Sequence, residues 1–284
     1  MENTIVFVTL VQTAGERSSA RLLVDSIRSF GGSLSQCPIW LFEANPEKVP
    51  CDSLGDAGVE LLPLHTPAGI RHYDYADKVF ACARAEERAG PECQSLIFLA
   101  PETLVINSPR LFDLGSSFDV AVRPVHIQNV GLLASDPLDV YWKRVYETVG
   151  VGDVRTTVES FVDQRQIRAY YNSAGFAANP ARGLFQRWLE RFEALVCDAD
   201  FQSSACQDAA HQVFLHQAVL STLIATGVNA QRLRILPPDY VYPYNLHHDV
   251  APDRRARRLG DLACIYYQDR PLAPEAIDDI QIDE

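Results

Sequence analysis

Hydrophobic residues in the first part of the chain form short continuous runs, and amphipathic stretches separate them. The runs are rich in β-branched and aromatic residues, a pattern typical of strands buried on both faces. They occupy residues 4–11, 38–42, 59–64, 95–99 and 118–122. Between them the pattern predicts one helix that is capped by Ser18 or Ser19 and stopped at Gly31–Gly32, and another over residues 75–88. This alternation predicts an α/β fold with a mostly parallel sheet and helices on both faces.

The second part of the chain is more mixed. Apolar residues recur at helical spacing and predict amphipathic helices at residues 139–149, 184–196 and 212–226. Strands are predicted within residues 167–179, broken at Asn172–Ser173, and at 233–236 and 262–267. An acidic tail follows at residues 275–284. Because no repeat or low-complexity linker divides the chain, we predict a single domain over residues 1–284, with halves at 1–125 and 126–284.

The stretch SLIFLAPETLVINSP, at residues 95–109, is the most informative one. Its first apolar run stops at a short break, Ala100-Pro101-Glu102, and a second apolar run leaves the break. This pattern predicts a buried strand, a turn and a short strand. Ligands in open α/β sheets bind where such strands end, so the break is a candidate site.

Charge and composition exclude several classes of protein. The 284 residues carry a net charge of −12, which disfavours a nucleic-acid binder because phosphate neutralisation needs a basic surface. No apolar run approaches the length of a membrane span. The seven cysteines lack zinc-type spacing, and we recognise no secretion signal. We therefore expect reduced thiols and a cytoplasmic protein.

Two segments together resemble GT-A-fold nucleotide-sugar glycosyltransferases, especially the glycogenin and galactosyltransferase-like family. They are the stretch at residues 95–109 and YYNSAGFAANP at residues 170–180. The resemblance spans roughly residues 4–272 and implies a GT-A-like three-layer α/β/α sandwich. It also implies a hexosyltransferase that uses a nucleotide-diphosphate sugar, possibly a UDP-sugar, with retention of anomeric configuration. The acceptor stays unidentified.

The resemblance implies roles for individual residues. The first half is expected to bind the donor, with further donor contacts from the break between the later strands and from the region near residue 270. The matching positions are Thr9, Leu10, Val11, Asp77, Lys78, Ala100, Glu102, Ser173, Gly175 and Arg270. The reaction centre is expected to contain Glu102, Asn172, His211 and Gln212. His211–Gln212 stand for the acidic residue and glutamine that the family carries on a helix.

The family's metal motif is degenerate in this chain. Ala100, Glu102 and Tyr266 stand where the family has two metal-binding aspartates and a histidine. A divalent ion on a diphosphate prefers several hard oxygen ligands, so we expect no metal site and weak or absent dependence on Mn²⁺ or Mg²⁺. Cationic side chains would then offset the charge of the leaving diphosphate, and Lys78, Arg123 and Arg270 are the candidates.

Two groups near the C-terminus have both a functional and a structural interpretation. Tyr242 and Tyr244 could stack on an acceptor sugar, with His247 or His248 as a base or contact, or all four could be packing residues. The arginines within residues 254–258 fit an anion site or, more simply, a solvated loop.

Two other functions remain open at this level. The first is a non-catalytic protein that keeps the GT-A fold and binds a ligand without its metal. The second is a nucleotidyltransferase, whose phosphate-binding loop the segment at residues 13–17 imitates. That segment lacks the second glycine, and Glu16 would repel a triphosphate.

Overall fold

The computed structural model describes residues 4–55, 57–268, 272 and 277–282. Its strands are β1 (Thr4–Val11), β2 (Ile39–Glu43), β3 (Val59–Pro63), β4 (Cys93–Leu99), β5 (Thr103–Val105), β6 (Val120–Val122), β7 (Thr157–Glu159), β8 (Gln166–Arg168), β9 (Gly175–Ala178), β10 (Leu233–Ile235), β11 (Tyr242–Pro243) and β12 (Cys264–Tyr266). Its α-helices are α1 (Ala14–Phe30), α2 (Asp52–Gly55), α3 (Ala76–Arg88), α4 (Val140–Val149), α5 (Leu184–Val196), α6 (Ala199–Ala205) and α7 (Ala209–Gly227).

A seven-stranded sheet in the order β10-β6-β9-β4-β1-β2-β3 forms the centre of the fold. β1 pairs in parallel with β2 and β4, and β2 with β3. β9 runs antiparallel to its neighbours β4 and β6. The expected α/β fold with a mostly parallel sheet is therefore confirmed. A small sheet of β11, β12 and β5 stands beside it.

The order of the strands creates a crevice between β1 and β4. The chain moves outward from β1 through β2 to β3 and then returns to add β4 on the other side of β1. Because such crossovers are right-handed, α1 and α3 cover opposite faces of the sheet. The carboxyl ends of β1 and β4 therefore flank a topological switch point, where open α/β sheets bind ligands.

Helix α1 begins earlier than the sequence pattern predicts. Thr13, rather than Ser18 or Ser19, is its N-cap, and the Thr13 side chain accepts a hydrogen bond from the Glu16 backbone N–H. The helix ends at Phe30, immediately before the predicted stop at Gly31–Gly32. The earlier start matters because the first turn of α1 lies beside the end of β1.

Two clusters of buried apolar residues hold the described part of the chain together. The larger one spans the seven-stranded sheet and its helices, and Trp142 and Trp188 are among its largest fully buried side chains. The smaller one lies around β11 and β12 and includes Phe161, Tyr242 and Tyr267.

Gly175 provides a test of how β9 is fitted into the sheet. A Cβ atom at this position would lie 2.6 Å from Val241 Cγ2 and 3.2 Å from Leu99 Cδ2. Gly175→Ala should therefore lower the free energy of unfolding by about 1–3 kcal/mol through overpacking. Chemical denaturation measures this, and Val241→Ala in the same chain should restore part of the loss. Gly152→Ala, where a Cβ would meet nothing within 4 Å, is the control. Equal effects of the two alanines would contradict the packing argument.

Candidate active site

A cavity of about 360 Å³ opens beside the switch point, within the size range of ligand sites. Segments that are distant in sequence contribute to it, including the start of α3, the turn before β9, α7 and the loops after β6 and β11. Its polar lining residues include Lys78, His126, Asn129, Asn172, Ser173, His216, Gln217, Asn245 and Gln268. Two of the residues expected at the donor, Lys78 and Ser173, thus share the cavity with Asn172.

Among the described residues that line this cavity, Lys78 is the only lysine, arginine, aspartate or glutamate. It is only 6% exposed. Its Nζ atom donates hydrogen bonds to the Ser173 carbonyl at 3.3 Å and to Ser173 Oγ at 3.4 Å. The ammonium also lies 4.1 Å from the ring centroid of Tyr75, a cation–π distance. Tyr75 precedes α3 with a left-handed backbone (φ 61°), an unusual conformation for a residue with a bulky side chain.

Ser173, His216 and Gln217 form a hydrogen-bonded group around this lysine. His216 Nδ1 lies 2.9 Å from the Val213 carbonyl, which can only accept, so Nδ1 carries the proton and Nε2 is an acceptor. Ser173 Oγ lies 2.9 Å from His216 Nε2 and 3.0 Å from Gln217 Oε1. Gln217 Oε1 also accepts from the Ser173 backbone N–H at 3.2 Å. The group fixes the turn that leads into β9.

Burial controls the protonation states of this group. It lowers the pKa of Lys78 to about 8, although the carboxylates of Glu102 and Glu16 favour the ammonium. Burial, together with the charge of Lys78, holds the pKa of His216 well below its usual range. At neutral pH the cavity therefore contains a charged lysine beside a neutral imidazole.

The break after β4 does not suit a divalent metal. Ala100 is buried and offers no ligand, while the Glu102 carbonyl accepts from the Tyr267 backbone N–H at 3.1 Å. Tyr266, which stands at the position of the family's metal-binding histidine, lines the cavity. Of the described residues, the only trio close enough to hold a metal is His247, His248 and Asp279, and none of them lines this cavity. One carboxylate beside a buried ammonium is a poor donor set for Mn²⁺ or Mg²⁺.

The helix α7 contains two His–Gln pairs, and the structure brings the second one, rather than the predicted first one, to the cavity. His211 is bonded through Nδ1 to Asp208 at 2.6 Å, and Gln212 Nε2 donates to the Cys206 carbonyl at 2.8 Å. His216 and Gln217 are 1% and 5% exposed and line the cavity. One sequence signal could have distinguished the two pairs. The second pair has three apolar residues on each side, in VFLHQAVL, whereas the first pair has two before it, in AAHQVFL.

The remaining positions expected at the donor lie around the cavity rather than in its lining. Thr9, Leu10 and Val11 are the last residues of β1 and are buried. Asp77 accepts from Gln12 Nε2 at 3.0 Å through Oδ2. Gly175 packs against Val241 at the start of β9. Arg270 lies outside the described residues.

The residues expected at the acceptor form a network with the C-terminal segment. The Tyr242 hydroxyl lies 2.8 Å from His247 Nδ1, and His247 Nε2 lies 2.6 Å from Asp279 Oδ1. Arg255 donates to the other oxygen of Asp279 at 2.9 Å. Tyr244 is buried in the same region, and His248 Nε2 lies 3.3 Å from Asp278 Oδ1. None of these four predicted acceptor residues lines the cavity, and the network instead holds residues 277–282 in place.

Two further features of the sequence have structural roles. Arg254 donates to Glu159, as Arg255 does to Asp279, so both of these arginines pair with carboxylates of the chain itself. The segment at residues 13–17 forms the first turn of α1, where Glu16 Oε2 accepts from the Gln12 backbone N–H at 2.6 Å. That carboxylate stands where the loop of a nucleotidyltransferase would hold phosphate, so the structure disfavours this alternative.

Comparison with known proteins agrees with this architecture. The family model of the Rhodobacterales glycosyltransferase domain matches residues 7–227. The chain belongs to this glycosyltransferase family. The expected class of enzyme, sugar transfer from a nucleotide-sugar, is thereby confirmed. A comparison with curated proteins finds no match.

Solved structures of the galactosyltransferase LgtC have a similar fold. A complex of LgtC with donor and acceptor sugar analogs is 13% identical with a TM-score of 0.54, and an active-site glutamine-to-glutamate mutant is 12% identical with a TM-score of 0.56. Each match covers 97% of this chain and 91% of LgtC. The expected GT-A-like fold is confirmed. Over its described residues, this glycosyltransferase has no helix with the length and apolar character of a membrane span.

The buried charge of Lys78 should destabilise the ligand-free protein. Lys78→Met should raise the free energy of unfolding by about 1–3 kcal/mol at pH 7, because methionine removes the buried charge and keeps much of the volume. Between pH 8 and about 10.4 the unfolded chain binds a proton that the folded chain lacks, so wild-type stability rises with pH there and the gain fades. Thermal unfolding at pH 7 and pH 10 measures both effects. Lys143→Met, at an exposed position, is the control, and a gain that does not change with pH would contradict the assignment.

Proposed function

We propose that this glycosyltransferase transfers a hexose from a nucleotide-diphosphate sugar to a hydroxyl acceptor in the cavity of Lys78, with little or no dependence on a divalent metal. The observation that carries the proposal is the buried ammonium of Lys78 in the cavity beside the switch point. The degenerate metal motif that the family resemblance implies agrees with it. Uridine as the base and retention of configuration follow from the family resemblance.

The charge of Lys78 suits the leaving group. As the bond between the sugar and the diphosphate breaks, negative charge develops on the diphosphate, and a fixed cation in a cavity of low dielectric stabilises it. Ser173 and the ring of Tyr75 hold the ammonium in place, so little reorganisation is needed during the reaction. Arg270 remains a predicted second cation for the diphosphate.

The end of β1 is a suitable position for the nucleobase. The pairing of β1 with β4 ends at Val8 and Phe98, whereas the pairing with β2 continues to Val11 and Glu43. The last three residues of β1 therefore have a strand neighbour on one side only. The Thr9 hydroxyl is also buried without a hydrogen-bond partner among the described residues. These features support the predicted role of Thr9, Leu10 and Val11 in donor binding.

Gln217 takes the role that the resemblance assigns to the glutamine on the helix, in place of Gln212. Its amide oxygen is bonded to the Ser173 backbone, which places the side chain beside Asn172 and Lys78. One of the LgtC structures carries its active-site mutation at a glutamine, which supports a glutamine at the reaction centre. His216 would hold Ser173 and the ammonium of Lys78. Glu102, whose carboxylate favours the charged form of Lys78, remains a predicted residue of the donor site.

The first prediction concerns the donor. UDP-glucose or UDP-galactose should raise the melting temperature, and the shift should persist with EDTA if no metal is needed. Lys78→Met should weaken binding by about 10–100-fold, because it removes charge-assisted bonds to phosphate. Above pH 8 the association constant should fall by up to about tenfold per pH unit, since Lys78 loses its proton. Calorimetric titration measures these values. A shift that requires Mn²⁺ would overturn the metal-independent mechanism.

The second prediction separates the two His–Gln pairs. Gln217→Ala should reduce sugar transfer by at least about a hundredfold, because the amide lies at the reacting centre. Gln212→Ala, on the same helix but away from the cavity, is the matched control and should leave transfer unchanged. Product formation by mass spectrometry with donor in excess measures both. If the two variants have equal activity, Gln217 is not at the reaction centre.

A non-catalytic binding protein is the alternative, favoured by the loss of the metal motif. It predicts a thermal shift with a nucleotide-sugar but neither transfer nor hydrolysis of that donor by the wild-type protein. Turnover that is lost in Gln217→Ala would exclude this alternative.

A further inference from the structure

His126, which the sequence analysis did not identify, is a buried polar residue of the cavity. It follows β6, lines the cavity and is 8% exposed. Its Nε2 atom lies 2.9 Å from the Val241 carbonyl. Since a carbonyl can only accept, Nε2 carries the proton and the neutral ring has its acceptor at Nδ1. Nδ1 makes no hydrogen bond within the part of the chain that the structure describes.

The ring of His126 is fixed and uncharged. Burial and the nearby Arg123 hold the pKa of His126 well below its usual range. The His126 carbonyl accepts from the Val162 backbone N–H at 2.7 Å, which anchors the loop. Val241, whose carbonyl also accepts from Arg123 Nη1 at 3.0 Å, has a left-handed backbone with φ 49°. Strain of this kind in a β-branched residue is typical of functional sites.

The lining of the cavity indicates what kind of molecule His126 would bind. Apolar side chains line the cavity together with His126, namely Val125, Ile127, Phe214, Pro243 and Leu246, and they form the apolar part of its wall. Among the described residues no carboxylate lines the cavity, so nothing there would pair with a cationic acceptor. The lysine that could attract an anion is Lys78, which the proposed donor diphosphate would occupy.

We propose that His126 is an acceptor-binding residue, whose Nδ1 accepts a hydrogen bond from the hydroxyl group of an uncharged glycoside that rests its apolar face on this wall. This inference rests on the proposed function, because it places the acceptor next to the donor of Lys78. His126 orients the hydroxyl group in this assignment, and no proton transfer to the ring is required.

Two substitutions of His126 distinguish the role of Nδ1 from the role of Nε2. Asparagine keeps an acceptor at the δ position and loses the contact with Val241, whereas glutamine can keep a donor to Val241 and loses the acceptor at the δ position. With UDP-glucose or UDP-galactose as donor and p-nitrophenyl glucoside as acceptor, His126→Gln should raise the acceptor KM by about tenfold or more. His126→Asn should stay close to wild type. Thermal unfolding confirms that each variant is folded.

Donor hydrolysis and the melting-temperature shift with the nucleotide-sugar should be unchanged in both variants, and His211→Gln is the matched histidine control. In the reverse pattern His126→Asn has the raised acceptor KM and His126→Gln does not. That result would mean that His126 only supports Val241. Transfer to p-nitrophenyl glucuronide in preference to the glucoside would overturn the uncharged acceptor. Donor hydrolysis without transfer to the glucoside would also overturn it. If wild type neither binds nor hydrolyses the donors, the proposed function itself fails.

Discussion

The hydrogen-bond ladder between β4 and β9 is the constraint on which the candidate site depends. β9 is inserted antiparallel between two strands that run the other way, so its amino end lies at the carboxyl end of β4. The Ala100 backbone N–H donates to the Ala174 carbonyl at 2.7 Å, which extends this contact past the end of the strands. Asn172 and Ser173 are therefore held at the ligand-binding edge of the sheet by backbone bonds, independently of what their side chains do.

In the proposed mechanism a fixed cation replaces part of what a metal would provide, with different consequences. A metal ion can bind and dissociate together with its ligand, whereas the charge of Lys78 stays buried in the ligand-free protein. The surrounding hydroxyl, carbonyl and aromatic ring reduce the cost of this burial without removing it. The structure thus accepts a local loss of stability at the place where the proposed chemistry needs positive charge.

The order of strands and long helices could be predicted from the sequence because each carries its own periodicity. Thr4–Val11 and Leu184–Val196 were predicted with the bounds that the structure has. The strand β7 and the helix α6 were not predicted, since three to seven residues give too weak a pattern. β8 overlaps the first of the two strands predicted within residues 167–179. The predicted halves of the chain remain a prediction, and residues 275, 276, 283 and 284 of the acidic tail lie outside the described residues.

The candidate site was harder to predict than the fold. Lys78 and Ser173 follow from local motifs, but identical His–Gln pairs five residues apart project about 140° apart around a helix. Tertiary packing decides which pair faces the cavity, and the apolar neighbours of the second pair are only a weak local signal of the outcome. His126 carried no sequence signal, because its importance comes from the carbonyl of Val241, which is distant along the chain.

The segment at residues 277–282 has a consequence for the cavity, although it lies outside the lining. Residues 277–282 lie against the arginine-rich loop, with backbone bonds between Gln281 and both Arg257 and Leu259, and Asp279 reaches His247. His247 belongs to the same short helix as Asn245 and Leu246, which form part of the cavity wall. Residues 277–282 therefore support, through His247, a wall of the cavity that none of them lines. A change confined to this segment would act on the cavity from outside it, through the position of Asn245 and Leu246.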